Sequence, residues 1–294
     1  MLLSRIVLYC SIASAVFVVG IVERCAAGTA EGAEPLLKTM SFNIRFGTAP
    51  DGENAWPLRR ELVLETINAY APDIVGLQEA LKSQLDELVE AMPQFGSVGC
   101  GRDADGGGEY SAILYRRKRF DVVNVGNFWL SETPSEPGST SWGNQLPRIC
   151  TWMRVFDHQA ARRYYVFNTH WDHQSQPARE QSGRAIADRV AQRESSPDPV
   201  IVMGDFNAGE TNPARQPLLA IGLRDAFRVL HPEASPVGTF NGFKGRLDGE
   251  KIDTVFVSQH WKVLEATIDR TEREGRYPSD HFPVTATLTL EVAE

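Results

Sequence analysis

The stretch "PVIVMGDFNAGE" (residues 199–210) decides the fold of this chain. Its apolar run at 200–203 predicts a buried strand, and this strand leads directly into Asp205 and Asn207. A buried carboxylate or carboxamide without a hydrogen-bonding partner costs about 1–3 kcal/mol. The stretch therefore predicts a core strand whose end carries a polar site, where water, a metal ion or neighbouring side chains satisfy Asp205 and Asn207.

Other predicted strands also begin or end with polar side chains. These residues are Asn43, Glu79, Asn168, His170, Asp253, Asp280 and His281. Each alone is more typical of a turn, a cap or a hydrogen-bonded histidine. If the strand ends meet at one rim of a sheet, however, they form an oxygen-rich site suited to a hard cation such as magnesium. Two histidines at the same rim would supply proton transfer near neutral pH.

Strand and helix patterns alternate along the chain. Helical periodicity covers 56–70, 82–92 and 177–193, while strands are predicted at 36–46, 73–79, 111–115, 120–130, 149–155, 164–169, 200–203, 252–257, 262–267 and 283–290. There is no internal repeat and no low-complexity linker after residue 36. The pattern predicts one α/β domain in which two sheets pack face to face with helices outside. The Pro/Ser/Gly-rich segment 131–147 is long enough to predict a functional or mobile loop.

The first thirty residues differ in kind from the rest. A short basic start precedes an uncharged, mostly apolar run at 6–22, and small residues follow. This layout predicts a signal peptide at 1–30 and hence an exported protein, periplasmic or extracellular. The alternative is an N-terminal membrane anchor, although the apolar run is shorter than the roughly 20 residues of a membrane span.

The charge balance argues against tight, non-specific binding to long duplex DNA. The chain has 30 Lys and Arg against 38 Asp and Glu, a formal net charge of −8, whereas such binding relies on a surplus of Lys and Arg. The one dense basic run, at 116–119, is predicted to be a solvated turn. Beyond the leader, the cysteines are Cys100 and Cys150; export would permit a disulfide between them, and their spacing does not indicate a zinc site.

Seven segments make the sequence recognisable when they are taken in order. They are "SFNIRF" (41–46), "DIVGLQE" (73–79), "GEYSAILYR" (108–116), "FNTHWDH" (167–173), "VIVMGDFN" (200–207), "KIDTVFV" (251–257) and "YPSDHFPV" (277–284). Together they resemble the endonuclease/exonuclease/phosphatase superfamily, also called the deoxyribonuclease-like family, over residues 36–292. Further features resemble a bacterial, secreted branch. The resemblance implies a four-layered α/β sandwich with two mainly antiparallel sheets, and cleavage of phosphoesters with Mg²⁺ or Mn²⁺.

The resemblance also implies a role for each matching residue. The catalytic set is Glu109, His170, Asp205, Asn207, Asp253 and His281; Arg148 and Asn168 contact the substrate phosphate; Asn43, Glu79 and Asp280 hold the metal. Within the catalytic set, Asp253 orients His281 and Glu109 partners His170. Asp205 and Asn207 touch the phosphate and the attacking water. Which histidine acts as acid and which as base stays open, as does the number of metal ions.

The sequence favours a magnesium-dependent phosphodiesterase or nuclease. The first alternative is a phosphatase or a phospholipase-C or sphingomyelinase-type enzyme, and the second is a non-catalytic binding protein of the same fold. The expected partner is a phosphoester, which covers nucleic acid, nucleotide, phosphorylated sugar or inositol, and lipid headgroup. No obligate protein partner is implied, and we expect a monomer. The complete set of motif residues argues against the non-catalytic alternative.

Overall fold

A computed structural model describes residues 35–291, so the expectations for the leader at 1–30 lie outside the described residues. The strands are β1 (Leu37–Asn43), β2 (Ile74–Gln78), β3 (Phe95–Val98), β4 (Ile113–Arg116), β5 (Phe120–Trp129), β6 (Ile149–Asp157), β7 (Arg162–His170), β8 (Val200–Asp205), β9 (Arg224–Asp225), β10 (Asp253–Val257), β11 (Trp261–Ile268) and β12 (Val284–Leu290). The α-helices are α1 (Trp56–Tyr70), α2 (Lys82–Ala91), α3 (Gln176–Ala191), α4 (Gln216–Ala220) and α5 (Ala226–Leu230).

The strands form two six-stranded sheets. The first has the order β11-β12-β1-β2-β4-β3 and the second the order β5-β6-β7-β8-β10-β9. Each sheet contains one parallel pair, β1–β2 or β7–β8, and its other neighbouring strands are antiparallel. The expectation of two mainly antiparallel sheets is confirmed.

The apolar residues of strand β8 do not alternate with polar ones, and the packing of the strand explains this. Ile201 and Met203 lie in the core cluster between the two sheets, whereas Val200 and Val202 lie in a second cluster that includes residues of α3. Both faces of the strand are therefore covered, which is the usual reason for a continuous apolar run.

Helices cover the outer face of each sheet. Val63 and Ile67 of α1 and Leu85 of α2 pack with β1 and β2 of the first sheet. Ile186 of α3 packs with the second sheet. Ser175 precedes α3, and its side chain caps the helix by accepting from a backbone N–H. The layers are thus helix, sheet, sheet and helix, and the predicted four-layered α/β sandwich is confirmed.

The topology brings the predicted polar positions to one rim. The parallel strands β1 and β2 end together, as do β7 and β8, where His170 pairs in register with Asp205. Strand β10 runs antiparallel to β8 and begins where β8 ends, so that Asp253 pairs with Asp205. A rim built from the carboxyl ends of parallel strands is a common location for ligand sites in α/β proteins.

Some elements differ from the sequence expectation. The short strands β3 and β9 were not predicted, because neither has a run of strand-forming residues long enough to stand out. Cys100 and Cys150 are both free within the described part of the chain. No helix between residues 35 and 291 is long and apolar enough to cross a membrane.

Candidate active site

Asp205 lies at the centre of the rim and is 1% exposed. Its Oδ2 is 3.6 Å from Nε2 of His170 and 3.8 Å from Nε2 of His281, and it accepts a hydrogen bond of 3.0 Å from Nδ2 of Asn43. Its Oδ1 accepts from the backbone N–H of Asn207 at 2.9 Å. Burial, and then the charge of Asp253, raise the pKa of Asp205 to about 7, against the opposing effects of His281 and the hydrogen bonds.

His281 and Asp253 form a buried pair. His281 Nδ1 lies 2.8 Å from Asp253 Oδ2, while the other oxygen of Asp253, Oδ1, has no hydrogen-bond partner among residues 35–291. Burial alone would lower the pKa of His281, but the charges of Asp253 and Asp205 outweigh this effect and raise that pKa well above its usual value. The sequence expectation that Asp253 holds the second ring nitrogen of His281 matches this geometry.

The surroundings of His170 differ from the expectation. His170 Nδ1 is 3.8 Å from Glu109 Oε2, beyond hydrogen-bond distance, and that oxygen instead accepts from Arg102 Nη1 at 2.6 Å. Burial, followed by the charges of Arg148 and Arg102, lowers the pKa of His170 well below its usual value. Glu109 thus pairs with Arg102 rather than orienting His170, and the two guanidinium groups beside His170 disfavour its protonated form.

Arg102 and Arg148 are buried cations, and each has an N–H group that could bind a further acceptor. Arg148 is 3% exposed and Arg102 is 8% exposed, yet Arg148 Nη1 and Arg102 Nε find no acceptor in the part of the chain that the structure describes. Arg148 Nη2 lies 2.9 Å from Nδ1 of His173, and Nε lies 3.5 Å from Asp172. Because unpaired buried N–H groups are costly, the pair is suited to an anionic ligand. Sequence reasoning found Arg148 but missed Arg102.

Glu79 follows directly after β2 and faces Asp280 from the first sheet. Glu79 Oε1 accepts from Asn43 Nδ2 at 3.0 Å and Oε2 accepts from the backbone N–H of Phe46 at 3.2 Å. Burial and the charge of Glu79 raise the pKa of Asp280, opposed by His281 and Arg45. Glu79 and Asp280 line the same cleft, and the repulsion between their charges would be relieved by a positive charge near both.

Asn43 bonds to residues of both sheets beside the predicted metal site. Its Nδ2 donates to both Glu79 and Asp205, one residue from each sheet, and its Oδ1 accepts from the backbone N–H of Arg45 at 3.0 Å. Asn43 therefore aligns two carboxylates across the sheets. The role of Asn43 in holding the metal stays a prediction.

Asn168 lies beneath the site and is fully buried. Its Nδ2 donates to the carbonyl oxygens of Leu77 and Ala112, both at 2.8 Å, and its Oδ1 accepts from Gln78 Nε2 at 2.6 Å. These contacts join β7 of the second sheet to the first sheet. Asn168 thus connects the sheets and does not line the cleft, in contrast to the phosphate contact expected from sequence.

The donor atoms at the rim fit a divalent cation. Asp205, Asp253 and His281 offer ligand atoms that all lie within 4.8 Å of one another. In this group, however, His281 Nδ1 and Asp253 Oδ2 are already bonded to each other. Glu79 and Asp280 present only carboxylate oxygens, which hard cations such as Mg²⁺ and Mn²⁺ prefer, and their mutual repulsion would be relieved by a cation. The residues present therefore fit the cation that the resemblance implies, best at Glu79 and Asp280.

Three residues at the rim adopt the left-handed backbone conformation without being glycine. Arg45 has φ 58°, Glu79 has φ 60° and Asn207 has φ 45°. Such residues cost about 1–3 kcal/mol each and persist where the surrounding structure holds them in place. Asn207 is held by Asp205 and by the hydrogen bond from its Nδ2 to the carbonyl of Trp171 at 3.0 Å.

These side chains surround an open cleft of about 440 Å³. Its lining includes all the predicted catalytic residues except Asp253, together with Glu79, Asp280 and the arginines Arg45, Arg102 and Arg148. Leu146, from the loop at 131–147, and Phe240 form an apolar edge, and the Phe240 ring contacts the His281 ring at a centroid distance of 5.2 Å. The cleft thus combines a charged floor with a partly apolar mouth.

Comparison with known proteins identifies the family. Residues 40–281 match the model of the endonuclease/exonuclease/phosphatase family. The chain belongs to this family. The structure of a family member from Bacteroides thetaiotaomicron is 32% identical and superposes with a TM-score of 0.81, covering 88% of this chain and 99% of that one.

The chain is also similar to a mannosyl-6-phosphatase and to nocturnin. A mannosyl-6-phosphatase from Bacteroides thetaiotaomicron is 33% identical with a TM-score of 0.80, covering 86% of this chain and 100% of that one. Nocturnin of Rattus norvegicus is 24% identical over 280 residues, which is 85% of this chain and 63% of nocturnin. The chain thus spans less than two thirds of the curated relative's length. The human nocturnin catalytic domain with bound sulfate, at 22% identity and a TM-score of 0.72, shares the fold.

Proposed function

We propose that this protein is a hydrolase of phosphate esters that uses a divalent cation, Mg²⁺ or Mn²⁺, held by Glu79 and Asp280. The observation that carries the proposal is the position of Asp205, whose Oδ2 lies between the two imidazoles of His170 and His281. A carboxylate in this position can take a proton from water while the histidines hold the groups on either side. Family membership supports the same reaction class.

The chain's own residues divide the work of an in-line attack by water on phosphorus, in which the water oxygen bonds to phosphorus as the ester P–O bond breaks and the leaving oxygen takes a proton from solvent in the open cleft. Asp205 accepts the proton of the attacking water, and His281, oriented by Asp253, holds that water in place. The backbone N–H of Asn207 holds the other carboxylate oxygen, Oδ1 of Asp205. When bound, the cation neutralises charge on the phosphate oxygens and acts as a Lewis acid.

A second group of residues binds the phosphate. His170 can donate a hydrogen bond to a phosphate oxygen, while Arg102 and Arg148 contribute the N–H groups that have no acceptor among residues 35–291. Guanidinium groups bind phosphate oxygens in a charge-assisted manner and stabilise negative charge that develops during the reaction. Asn43 holds Asp205 and Glu79 in fixed positions relative to each other, since its Nδ2 donates to both carboxylates.

We propose a phosphate monoester of a small molecule, such as a sugar phosphate, as the substrate class. Arg102 and Arg148 each offer an N–H group that finds no acceptor among residues 35–291, which suits a terminal phosphate, and the cleft of about 440 Å³ has room for a small leaving group. The similarity to a mannosyl-6-phosphatase over the whole of that chain supports the same class. This proposal differs from the phosphodiesterase or nuclease favoured by sequence, and the net charge of −8 also argues against nucleic acid.

A direct test compares classes of phosphoester in the presence of Mg²⁺ or Mn²⁺. Purified protein is incubated with mannose 6-phosphate and other sugar phosphates, p-nitrophenyl phosphate, bis-p-nitrophenyl phosphate, single-stranded DNA, RNA and sphingomyelin. We expect phosphate release from the monoesters. Turnover of diesters alone would replace the monoester proposal with the phosphodiesterase. Activity that survives both Glu79→Gln and His281→Ala would overturn the site itself.

We also propose that residues 1–30 direct export, which rests on the sequence pattern of this segment. The test is fractionation of producing cells together with the N-terminal sequence of the recovered protein. A cleaved, soluble product outside the cytoplasm is expected, and an intact product that stays with membranes would favour the anchor instead.

A further inference from the structure

The guanidinium group of Arg45 lies between Glu79 and Asp280. Arg45 Nη1 is 3.8 Å from Glu79 Oε2, and Arg45 Nε is 3.8 Å from Asp280 Oδ2. These two carboxylates are the ones to which the proposed function assigns the divalent cation. In this structure, a side chain of the protein therefore supplies the positive charge that the two carboxylates require.

Arg45 also has a third carboxylate partner on its other side. Arg45 Nε donates to Asp51 Oδ2 at 3.1 Å and Nη2 donates to Asp51 Oδ1 at 3.2 Å, the geometry of a bidentate pair. The guanidinium group also packs over the Phe46 ring, 4.7 Å from its centroid. Asp51 lies in the loop after β1, so it can hold Arg45 without help from the carboxylates at the rim.

The backbone of Arg45 restricts how the side chain can respond. The residue has φ 58°, and its N–H donates to Asn43 Oδ1, which fixes the main chain beside the site. Any displacement of the guanidinium group therefore comes from rotation of side-chain torsions. The bidentate bonds to Asp51 and the contact with the Phe46 ring favour one position of the guanidinium group.

We propose that Arg45 competes with the divalent cation for Glu79 and Asp280, and that Asp51 holds the guanidinium group when the cation binds. This inference rests on the proposed metal site. The physical reason is that a cation between the two carboxylates would lie next to a like charge, which is unfavourable at such distances. Arg45 is thus a positioning residue that sets metal affinity, and Asp51 offsets part of its competition.

Two single substitutions are expected to change metal affinity in opposite directions. Arg45→Met removes the competing charge and keeps most of the side-chain length, so metal binding becomes about tenfold tighter. Asp51→Asn removes the charge of the carboxylate that holds Arg45 in a bidentate pair, so the guanidinium group moves closer to Glu79 and Asp280 and metal binding weakens several-fold. The double variant is expected to behave like Arg45→Met alone, because Asp51 acts through Arg45.

The test measures binding of Mn²⁺ to the purified full chain, from the electron paramagnetic resonance signal of free Mn²⁺ and without reference to activity. Arg60→Met is the matched control: Arg60 is also an arginine paired with carboxylates, but these are Glu61 and Glu87 on the helices. It should leave the affinity unchanged. Circular dichroism establishes that each variant is folded.

The outcomes separate the inference from the proposed function. Tighter binding by Arg45→Met with weaker binding by Asp51→Asn supports the competition. Unchanged or weaker binding by Arg45→Met, while Glu79→Gln and Asp280→Asn both abolish binding, overturns the inference and leaves the metal site intact. Unchanged binding by Glu79→Gln and Asp280→Asn overturns the proposed metal site as well.

Discussion

His281 Nδ1 lies 2.8 Å from Asp253 Oδ2, and both side chains are buried at the start of strands that come from different sheets. Asp253 opens β10 in the second sheet, whereas His281 precedes β12 in the first. The pair therefore connects the two halves of the sandwich at the cleft. Its geometry depends on how the sheets pack, so the orientation of the imidazole is set by the whole fold.

Asp253→Asn should lower kcat by about 10²–10⁴-fold with little change in KM, because it removes the charge that orients His281 and stabilises its protonated form. Steady-state kinetics on the best monoester measures this change. Circular dichroism and urea unfolding establish that the variant is folded under the conditions of the assay. A normal kcat in this variant would show that His281 does not act through Asp253.

Arg148→Met and Arg102→Met should each lower kcat/KM by about 10–100-fold, mainly by raising KM for the phosphate ester, since a hydrogen bond to a charged group contributes about 1.5–3 kcal/mol. Arg154→Met is a matched control. Arg154 lies in β6, the strand that begins directly after Arg148, but it pairs with Asp198 away from the cleft. If the two cleft variants and the control have equal KM values, the arginines do not bind the phosphate.

The sequence was sufficient for those parts of the site that depend on strand ends. Apolar runs that stop at Glu79, His170 and Asp205 fix where strands end, and parallel neighbours place those ends together. The helix at 56–70 was also predicted with its bounds, because Pro57 and the helical period mark it clearly.

The sequence was insufficient where a side chain acts through a loop or chooses among several partners. Arg102 reaches Glu109 and His170 only because an irregular loop folds back, and no periodicity records that path. Asn168 occupies a motif position at a strand end, yet the spacing of residues does not reveal that its amide meets the carbonyls of the opposite sheet. Which of several possible hydrogen-bond partners a side chain takes depends on how the elements pack, and the sequence does not show this directly.

Asn168→Ala should destabilise the fold by several kcal/mol, because it leaves the buried carbonyls of Leu77 and Ala112 without this donor at about 1–3 kcal/mol each. Urea unfolding measures the loss. Asn127→Ala is a comparison on the edge strand β5 of the same sheet, where Asn127 Oδ1 accepts a single bond, from Thr151, and the residue is half-buried; its effect should be smaller. A stable Asn168→Ala variant with a raised KM would instead restore the phosphate contact expected from sequence.

A buried charge network supports the strand that carries Asp253. Asp225 Oδ2 accepts from Lys251 Nζ at 2.5 Å and from Arg215 Nη2 at 3.0 Å, and Lys251 also donates to Thr254 at 3.0 Å. Burial alone would raise the pKa of Asp225, but the charges of Lys251 and Arg215 outweigh this and lower it. Removing Asp225 would leave two buried cations without their shared partner, which is strongly destabilising.

Asp225→Asn should lower the free energy of unfolding by about 3–5 kcal/mol at pH 7. Because the folded pKa of Asp225 is lowered, its stabilising contribution is complete above the unfolded pKa of about 3.9 and is lost as the pH falls through the folded pKa. The difference between wild type and variant should therefore stay constant from pH 7 to 5 and shrink below about pH 4, as measured by urea unfolding across that range. Asp86→Asn, which breaks the exposed pair with Lys82, should leave stability unchanged throughout. A difference that persists undiminished at the lowest pH would show that Asp225 acts through packing and not through its charge.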